Sequence, residues 1–241
     1  MIKPKKSLGQ NFLIDKNIIN KIINQTNIFN ENIIEIGPGL GNLTDVIISK
    51  NPKNLIIIEK DLKLFNYLNN KYKNKKQIKL INADVLNYDF SNIKNGKIIS
   101  NLPYNISTKI IMKLIFLNKN ITEIICMIQK ELAEKFDYNN TNMNKYRFIL
   151  QFCTHYKMLF NVSNKVFYPK PKVNSKVVTF KLKNIIIDQE KLFSFTNQMF
   201  RNKRKSLRNK IKKNLLLNEK ILCKRVEELS FNELLEIYKT F

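Results

Sequence analysis

One short apolar segment, together with the glycine loop and helix that follow it, constrains the fold of this 241-residue chain most strongly. Residues 32–36 read Asn-Ile-Ile-Glu-Ile, which is typical of a buried strand. The loop at residues 37–42 reads Gly-Pro-Gly-Leu-Gly-Asn and runs into a helical pattern from Leu43. Strand, glycine turn and helix in this order form the nucleotide-binding unit of open parallel sheets. A glycine loop alone is a weak sign, because tight connections without a ligand use the same residues.

The second and third predicted strands each lead to a carboxylate. Residues 55–59 end in Glu59, 22 positions after Gly37, where a Rossmann-like site places an acid on ribose hydroxyls. Residues 78–81 are followed by Asp84, which can accept a hydrogen bond from the amino group of an adenine lying across the sheet edge. Taken singly, both acids would more often be solvated strand ends. Their joint spacing favours a nucleotide site.

The fourth predicted strand, residues 97–100, leads into Asn101, Leu102, Pro103 and Tyr104. Pro103 fixes its own φ and favours an extended Leu102, so we expect the backbone carbonyls here to be free acceptors. The Asn101 amide oxygen and the Tyr104 ring would add an acceptor and a stacking surface for a base. Two acceptors on the hydrogens of adenine N6 would free the nitrogen lone pair, which suits methylation without a general base. The alternative is a strand-to-turn junction in which Asn and Pro only end β structure.

The order of these patterns predicts an α/β fold. A first helix over residues 16–27 has Asp15 as its N-cap, and further helices and strands continue a doubly wound sheet. After the last predicted strand the pattern is helical only, with Asp188 as a cap. We therefore expect a Rossmann-like sheet domain over residues 1–183 and a small all-helical domain over residues 184–241.

A local basic cluster adds to the chain-wide formal charge of +24. Residues 201–213 contain eight basic side chains and no acid, with Leu207 and Ile211 at helical spacing. This pattern predicts a helix that packs its apolar side on the protein and turns its basic side to nucleic-acid phosphates, although a merely solvated basic helix is the alternative. The side chains expected to face phosphates are Arg201, Arg204, Lys205 and Arg208.

Several classes of site and location are disfavoured by the sequence. Cys126, Cys153 and Cys223 form no CxxC pair, and His155 is the single histidine, so we expect free thiols in a reducing compartment and no metal site. A lone histidine also disfavours His-based acid/base catalysis. We expect no membrane segment, and we interpret the basic residues 1–11 as part of the mature protein rather than a targeting peptide.

Taken together, these segments resemble the ribosomal RNA adenine N6,N6-dimethyltransferases. The resemblance spans nearly the whole chain. The motifs that carry it are Gly-Gln-Asn-Phe-Leu at 9–13, the strand and glycine loop at 35–44, Asn-Leu-Pro-Tyr-Asn at 101–105, Met-Ile-Gln-Lys-Glu at 127–131 and Phe-Tyr-Pro-Lys-Pro-Lys-Val at 167–173.

This resemblance implies a Rossmann-like, S-adenosyl-L-methionine-dependent methyltransferase that acts on 16S rRNA of the small ribosomal subunit. It implies that Tyr104 and Phe167 sandwich the flipped adenine, as part of a catalytic set with Asn101, Leu102 and Pro103. We further expect a monomer in the bacterial cytosol, or in an organelle. The residues implied to contact the cofactor are Asn11, Leu13, Gly37, Glu59, Asp84 and Asn101.

Three other functions remain open on the sequence. A macrolide-resistance type of enzyme would methylate large-subunit RNA with the same chemistry, although the segment at 167–173 favours the small subunit. A ribosome-assembly or transcription factor could use the fold without catalysis, but the set of Glu59, Asp84 and Asn101 is present. A nicotinamide dehydrogenase would explain the glycine loop and leave residues 101–104 without a role.

Overall fold

Strands and helices alternate through most of the computed structural model, which describes residues 4–5, 8–139, 142–201, 205–210 and 219–241. Its strands are β1 (Phe12–Leu13), β2 (Asn32–Ile36), β3 (Asn54–Glu59), β4 (Ile78–Asn82), β5 (Gly96–Asn101), β6 (Ile121–Gln129), β7 (Thr154–Val162), β8 (Phe167–Tyr168) and β9 (Ser175–Leu182). Its helices are α1 (Lys16–Ile23), α2 (Asn42–Ser49), α3 (Leu62–Tyr72), α4 (Ser107–Leu114), α5 (Lys130–Phe136), α6 (Lys145–Cys153), α7 (Gln189–Phe200), α8 (Glu219–Cys223) and α9 (Phe231–Lys239).

A seven-stranded sheet forms the centre of the molecule, in the order β4-β3-β2-β5-β6-β9-β7. The five strands from β4 to β6 are parallel, and β9 runs antiparallel to both of its neighbours. The order reverses between β2 and β5, so their carboxyl ends flank the crevice where open α/β sheets bind ligands. The predicted α/β fold is confirmed.

Each face of the sheet is covered by its own apolar cluster. Ile34 and Ile98 belong to one cluster, whereas their chain neighbours Ile33 and Ile99 belong to the other. This alternation follows from the two-residue period of a strand, and it explains why the central strands are mostly apolar on both faces. The sheet is therefore held between two helical layers.

Aspartate caps begin several helices where the sequence predicted them. The Asp15 carboxylate accepts a 2.9 Å hydrogen bond from the Ile18 amide, and the Asp188 carboxylate accepts one of 2.9 Å from the Lys191 amide. The first helix is shorter than expected, because α1 ends at Ile23 rather than at residue 27. Asn24 caps it, and the polar residues after it supply no apolar side chain to extend the buried face.

A two-stranded ribbon outside the main sheet connects distant parts of the chain. β1 pairs antiparallel with β8, so that Phe12 lies opposite Tyr168 and Leu13 opposite Phe167. The Ile14 amide extends the pairing with a 3.0 Å hydrogen bond to the Val166 carbonyl. This ribbon fixes the amino-terminal segment beside the glycine loop.

The helices after β9 continue the core of one sheet face. Leu192, Phe195 and Tyr238 belong to the same cluster as Phe148 of α6 and Ile124 of β6. Apolar contacts of this kind anchor the carboxyl-terminal helices directly on the layer beneath them.

The basic segment does not form the single helix that the sequence predicted. α7 ends at Phe200, and the described residues 205–210 contain a bridge from Ser206 to Arg225 and a 3-10 turn at Leu207–Asn209, but no α-helix. Lys210 donates hydrogen bonds to the Met199 and Arg201 carbonyls, so it satisfies backbone acceptors at the end of α7. Of the residues expected to face phosphates, Arg204 lies outside the described residues.

Candidate active site

A pocket opens at the carboxyl edge of the sheet, on both sides of the switch between β2 and β5. Its wall brings together nearly all of the residues that the sequence placed in the site. They are Asn11, Leu13, Gly37, Glu59, Asp84, Asn101, Leu102, Pro103 and Tyr104.

The glycine loop after β2 leaves room for a ligand at one position. Gly37 has a φ of +63°, and a Cβ built on it would meet no atom within 4 Å. A side chain there would project into the open pocket, whereas Gly39 is closed by the Phe12 ring, which a Cβ would approach to 2.7 Å. Gly37 therefore provides the close backbone approach that a bound nucleoside group needs.

Two carboxylates lie on the wall beyond the loop. Glu59, at the end of β3, is 5% exposed and accepts a 2.7 Å hydrogen bond from the Asp61 amide. Burial raises the pKa of Glu59 to about 7. Asp84, after β4, accepts from the Lys60 ammonium at 2.8 Å, and this hydrogen bond holds the pKa of Asp84 below its usual value. Glu59 can accept from hydroxyl groups, whereas Asp84 is already part of an ion pair at the pocket rim.

The side-chain amide of Asn101, at the end of β5, has a hydrogen-bond partner for its nitrogen but, within the described ranges, none for its oxygen. Its Nδ2 donates a 2.9 Å hydrogen bond to the Asn11 carbonyl. Its Oδ1 is buried and has no hydrogen-bond partner among the described residues. A buried acceptor without a partner costs on the order of 1–3 kcal/mol, which a ligand donor would recover. A donor group that reached this oxygen would satisfy it.

The carbonyls of the tetrapeptide are not all free, contrary to the sequence-based expectation. The Pro103 carbonyl accepts from the Ile106 amide at 3.2 Å, and the Tyr104 carbonyl accepts from the Ser107 hydroxyl. Both are used because the chain turns at once into α4. The Leu102 carbonyl accepts none of the hydrogen bonds seen in the described part of the chain, so it is the backbone acceptor left beside Asn101.

Phe167 lies away from the pocket wall in this structure. It is 3% exposed and packs in the same cluster as Leu13, its partner across the β1–β8 ribbon. Strand alternation turns Tyr168 outward, where it is 58% exposed. The expected sandwich of Tyr104 and Phe167 is therefore not formed in this conformation, because the Phe167 ring fills the core behind the pocket.

The amino-terminal segment closes one side of the pocket through contacts that the sequence did not reveal. Lys5 forms a 2.8 Å ion pair with Asp61, and the Gln10 amide donates to the same carboxylate. Leu13 is held from the other side, because its carbonyl accepts a 2.7 Å hydrogen bond from Asn42. The segment that carries Asn11 and Leu13 thus spans from α3 to α2 across the glycine loop.

A second buried acid, Glu35 of β2, was also missed by sequence reasoning. It is 1% exposed, lines the pocket and accepts a 2.6 Å hydrogen bond from the Thr44 hydroxyl. Burial raises the pKa of Glu35 to about 8. The signal that could have found it is an acid within an otherwise apolar strand.

The basic residues near the end of α7 differ in their surroundings. Arg201 and Lys205 are exposed. Arg208 forms an ion pair with Glu219, which offsets part of its charge. Arg201 and Lys205 are therefore the described members of the cluster that remain most available to a polyanion.

The described ranges contain no group of three or more histidine, cysteine, aspartate or glutamate side chains placed to hold a metal ion. In the same part of the chain, no helix is both long and apolar enough to cross a membrane.

The sheet order and the pocket at its switch point define the class of the protein. A dimethyladenosine transferase from Plasmodium falciparum has the same fold, with a TM-score of 0.80 at 23% identity over 95% of this chain and 98% of that one. The 23S rRNA methyltransferase ErmE superposes with a TM-score of 0.76 at 18% identity, again over 95% of this chain and 98% of that one. The chain therefore has the Rossmann-like fold of these two proteins.

Sequence comparison identifies the family within that class. The model of the ribosomal RNA adenine dimethylase family matches residues 1–240, and the chain belongs to this family. It is 38% identical to the ribosomal RNA small subunit methyltransferase A of Hydrogenobaculum sp., over 100% of this chain and 94% of that protein. The enzyme of the same name from Mycoplasma mobile is 41% identical over 86% of this chain and 83% of its own length. The resemblance drawn from the motifs is thereby confirmed, and the chain is a methyltransferase of a family and fold that imply use of S-adenosylmethionine.

The residues on the pocket wall fit the cofactor that this class implies. Gly37 leaves open space at the glycine loop, Glu59 offers a buried carboxylate, and Asn101 has a buried oxygen without a partner. A nucleoside with ribose hydroxyls and a charged amino-acid tail requires this kind of donor and acceptor set.

Proposed function

We propose that this protein transfers methyl groups from S-adenosyl-L-methionine to N6 of adjacent adenosines near the 3′ end of 16S rRNA, in the small ribosomal subunit. Its family membership and the names of its relatives support this substrate. The observation that carries the chemistry is the buried Asn101 Oδ1 without a partner, next to the unused Leu102 carbonyl.

These two oxygens would act on the target amine directly. The lone pair of adenine N6 is delocalised into the ring, and the nitrogen is a poor nucleophile while it stays planar. In the first transfer, acceptance of its two hydrogens by Asn101 Oδ1 and the Leu102 carbonyl would favour a tetrahedral nitrogen with a localised lone pair. In the second transfer, the one remaining hydrogen would bond to one of these oxygens. These hydrogen bonds strengthen as the nitrogen turns tetrahedral, so they stabilise the transition state more than the bound substrate.

Other residues would hold the cofactor around this centre. S-adenosyl-L-methionine supplies an electrophilic methyl group when bound. Glu59 would accept hydrogen bonds from the ribose hydroxyls, and Asp84 would accept one from the adenine amino group. Gly37 would allow the cofactor to approach the backbone of the loop closely. Asn11 and Leu13 would complete the site from the amino-terminal segment that lies across it.

The target base would be held by stacking. The Tyr104 ring forms part of the pocket wall and can stack on a flipped adenine, an interaction of about 1–3 kcal/mol per base. In this conformation Phe167 supports the ribbon behind the pocket, so a second stacking face would require its ring to move toward the base.

The helical part of the chain, residues 184–241, would bind RNA outside the pocket. Arg201 and Lys205 would contact phosphates, with a weaker contribution from Arg208 because of its ion pair with Glu219. Arg204 belongs to the same proposed set. We propose that the protein acts as a monomer in the cytoplasm, where ribosomal subunits are assembled.

The test is methylation of defined substrates. The protein and labelled S-adenosyl-L-methionine would be incubated with naked 16S rRNA, small subunits and large subunits, and the methylated base would be mapped. We expect N6,N6-dimethyladenosine in 16S rRNA of small subunits. Label in large-subunit RNA would instead indicate the macrolide-resistance type of activity, and binding to small subunits without label would indicate an assembly factor.

A further inference from the structure

A hydroxyl pair connects the pocket to the antiparallel strand β9. The Tyr104 phenolic oxygen lies 2.5 Å from Ser175 Oγ, so that one hydroxyl donates to the other. Ser175 is 0% exposed and is the first residue of β9. It pairs with Gln129 of β6 on one side and with Val162 of β7 on the other. The sheet therefore fixes the backbone from which this hydroxyl extends.

Tyr104 is held at both ends by this arrangement. Its backbone carbonyl accepts from the Ser107 hydroxyl, at the start of α4, while its phenolic end reaches Ser175. Burial raises the pKa of Tyr104, so the phenol stays protonated and can take part in this contact over the working pH range. A ring fixed at its root and at its tip keeps the direction of its long axis.

We propose that Ser175 is a positioning residue for methyl transfer, which fixes the place of the Tyr104 ring against which the target adenine stacks. This inference rests on the proposed function. Loss of the contact would let the ring swing away from this place, and a smaller fraction of bound adenines would then present the amine to Asn101.

The effect is expected in the rate rather than in substrate affinity. Affinity for a whole ribosomal subunit comes mostly from phosphate contacts over a large basic surface, and one hydroxyl inside the pocket adds little to it. The orientation of the flipped base acts directly on the chemical step. Ser175→Ala should therefore lower the single-turnover rate on small subunits about three- to tenfold, with KM for subunits and the Kd for S-adenosylmethionine unchanged.

A purely structural hydroxyl pair would behave differently, and a double-mutant cycle separates the two roles. Tyr104→Phe removes the same contact from its other end and keeps the ring. Ser175→Ala, Tyr104→Phe and the double variant should all slow methylation by the same factor, because each removes one shared interaction. Thr179→Val is the matched control, since it deletes a buried hydroxyl on the same strand that bonds Glu123 instead of a pocket residue.

Small subunits, labelled S-adenosylmethionine and the full-length chain would be used, with thermal melts of each variant. The role of Ser175 would be overturned if the rate reductions of the two single variants multiplied in the double variant. A wild-type rate in Ser175→Ala would overturn it as well. If Ser175→Ala does not fold, Tyr104→Phe alone decides: slower transfer supports the contact, and a wild-type rate refutes it. Failure of the wild-type protein to methylate small subunits would instead refute the proposed function, and this role with it.

Discussion

The side-chain nitrogen of Asn101 donates to the backbone carbonyl of Asn11 at 2.9 Å, and this contact sets the orientation of the Asn101 amide. The opposite orientation would bring two oxygen acceptors together, which is unfavourable in a buried position. The orientation of the Asn101 amide is therefore fixed by a residue 90 positions earlier in the chain. The amino-terminal segment that helps to form the cofactor site also orients the group proposed to activate the amine.

Asn101→Ala should slow methyl transfer far more than it weakens substrate binding. Removal of an acceptor that acts mainly in the transition state commonly costs about 3–4 kcal/mol, or roughly 10²–10³ in rate. The measurement is single-turnover methylation of small subunits at saturating S-adenosylmethionine, because the same side chain lies on the cofactor pocket. Asn70→Ala, on an exposed position of α3, is the control. A wild-type rate for Asn101→Ala would remove the proposed activation of the amine.

Glu59→Ala should weaken S-adenosylmethionine binding by about 1–3 kcal/mol, the usual range for a hydrogen bond to a charged group. Since the pKa of Glu59 is raised to about 7, ribose hydroxyls would bind its ionised form best, and wild-type affinity should rise between about pH 6 and pH 8. Calorimetric titration at several pH values measures both effects. In Glu59→Gln the pH dependence should disappear, and equal affinity in wild type and both variants would exclude Glu59 from the site.

Glu35 should make the unliganded protein less stable as the pH rises. Its pKa is raised from 4.5 to about 8 in the folded state, so the folded protein retains a proton that the unfolded chain loses in this range. The free energy of unfolding should fall by up to roughly 3–5 kcal/mol between about pH 4.5 and pH 8 because of this group. Glu35→Gln should flatten the decline in urea titrations, whereas Glu236→Gln, an exposed acid paired with Lys239, should not. Identical slopes in wild type and Glu35→Gln would contradict this origin.

Neutralising Arg201 and Lys205 together should weaken binding to small subunits and reduce its dependence on salt. Each lost phosphate contact lowers the slope of log K against log salt by about 0.7–0.9. Binding would be measured by filter retention across a salt series. Lys239→Ala is the control, because its charge is already paired with Glu236 on α9. An unchanged slope in the double variant would mean that these side chains are only solvated.

Much of this architecture follows from local signals in the sequence. The apolar runs at β2, β3 and β5 predicted buried parallel strands, because only such strands are covered on both faces. Asp15 and Asp188 marked helix starts through a side chain that satisfies a free backbone amide. The polar residues after successive strands met at one edge, as the geometry of a parallel sheet requires.

What the sequence did not predict depends on contacts between distant residues. The ribbon strands β1 and β8 have two residues each, too few for any periodic pattern. Their pairing turns Phe167 into the core, although the motif alone suggested a ring at the pocket. The hydroxyl contact between Tyr104 and Ser175 joins positions 71 residues apart and has no local signature. No sequence pattern distinguishes Lys210 from the other basic residues of its segment. In the structure, its ammonium donates hydrogen bonds to backbone carbonyls at the end of α7.

The β1–β8 ribbon also has a consequence for the order in which the protein matures during synthesis. Its two strands lie about 155 residues apart in the chain, so the amino-terminal segment has no partner strand until β8 has left the ribosome. The glycine loop, Glu59 and Asn101 are all translated earlier, and so are Asp61 and Asn42, which bind the amino-terminal segment from either side; only the strand pairing of that segment waits for β8. Nascent chains that stop before residue 167 should therefore contain every residue of the pocket wall but hold its amino-terminal side less firmly, and capture of S-adenosylmethionine should tighten once β8 has paired.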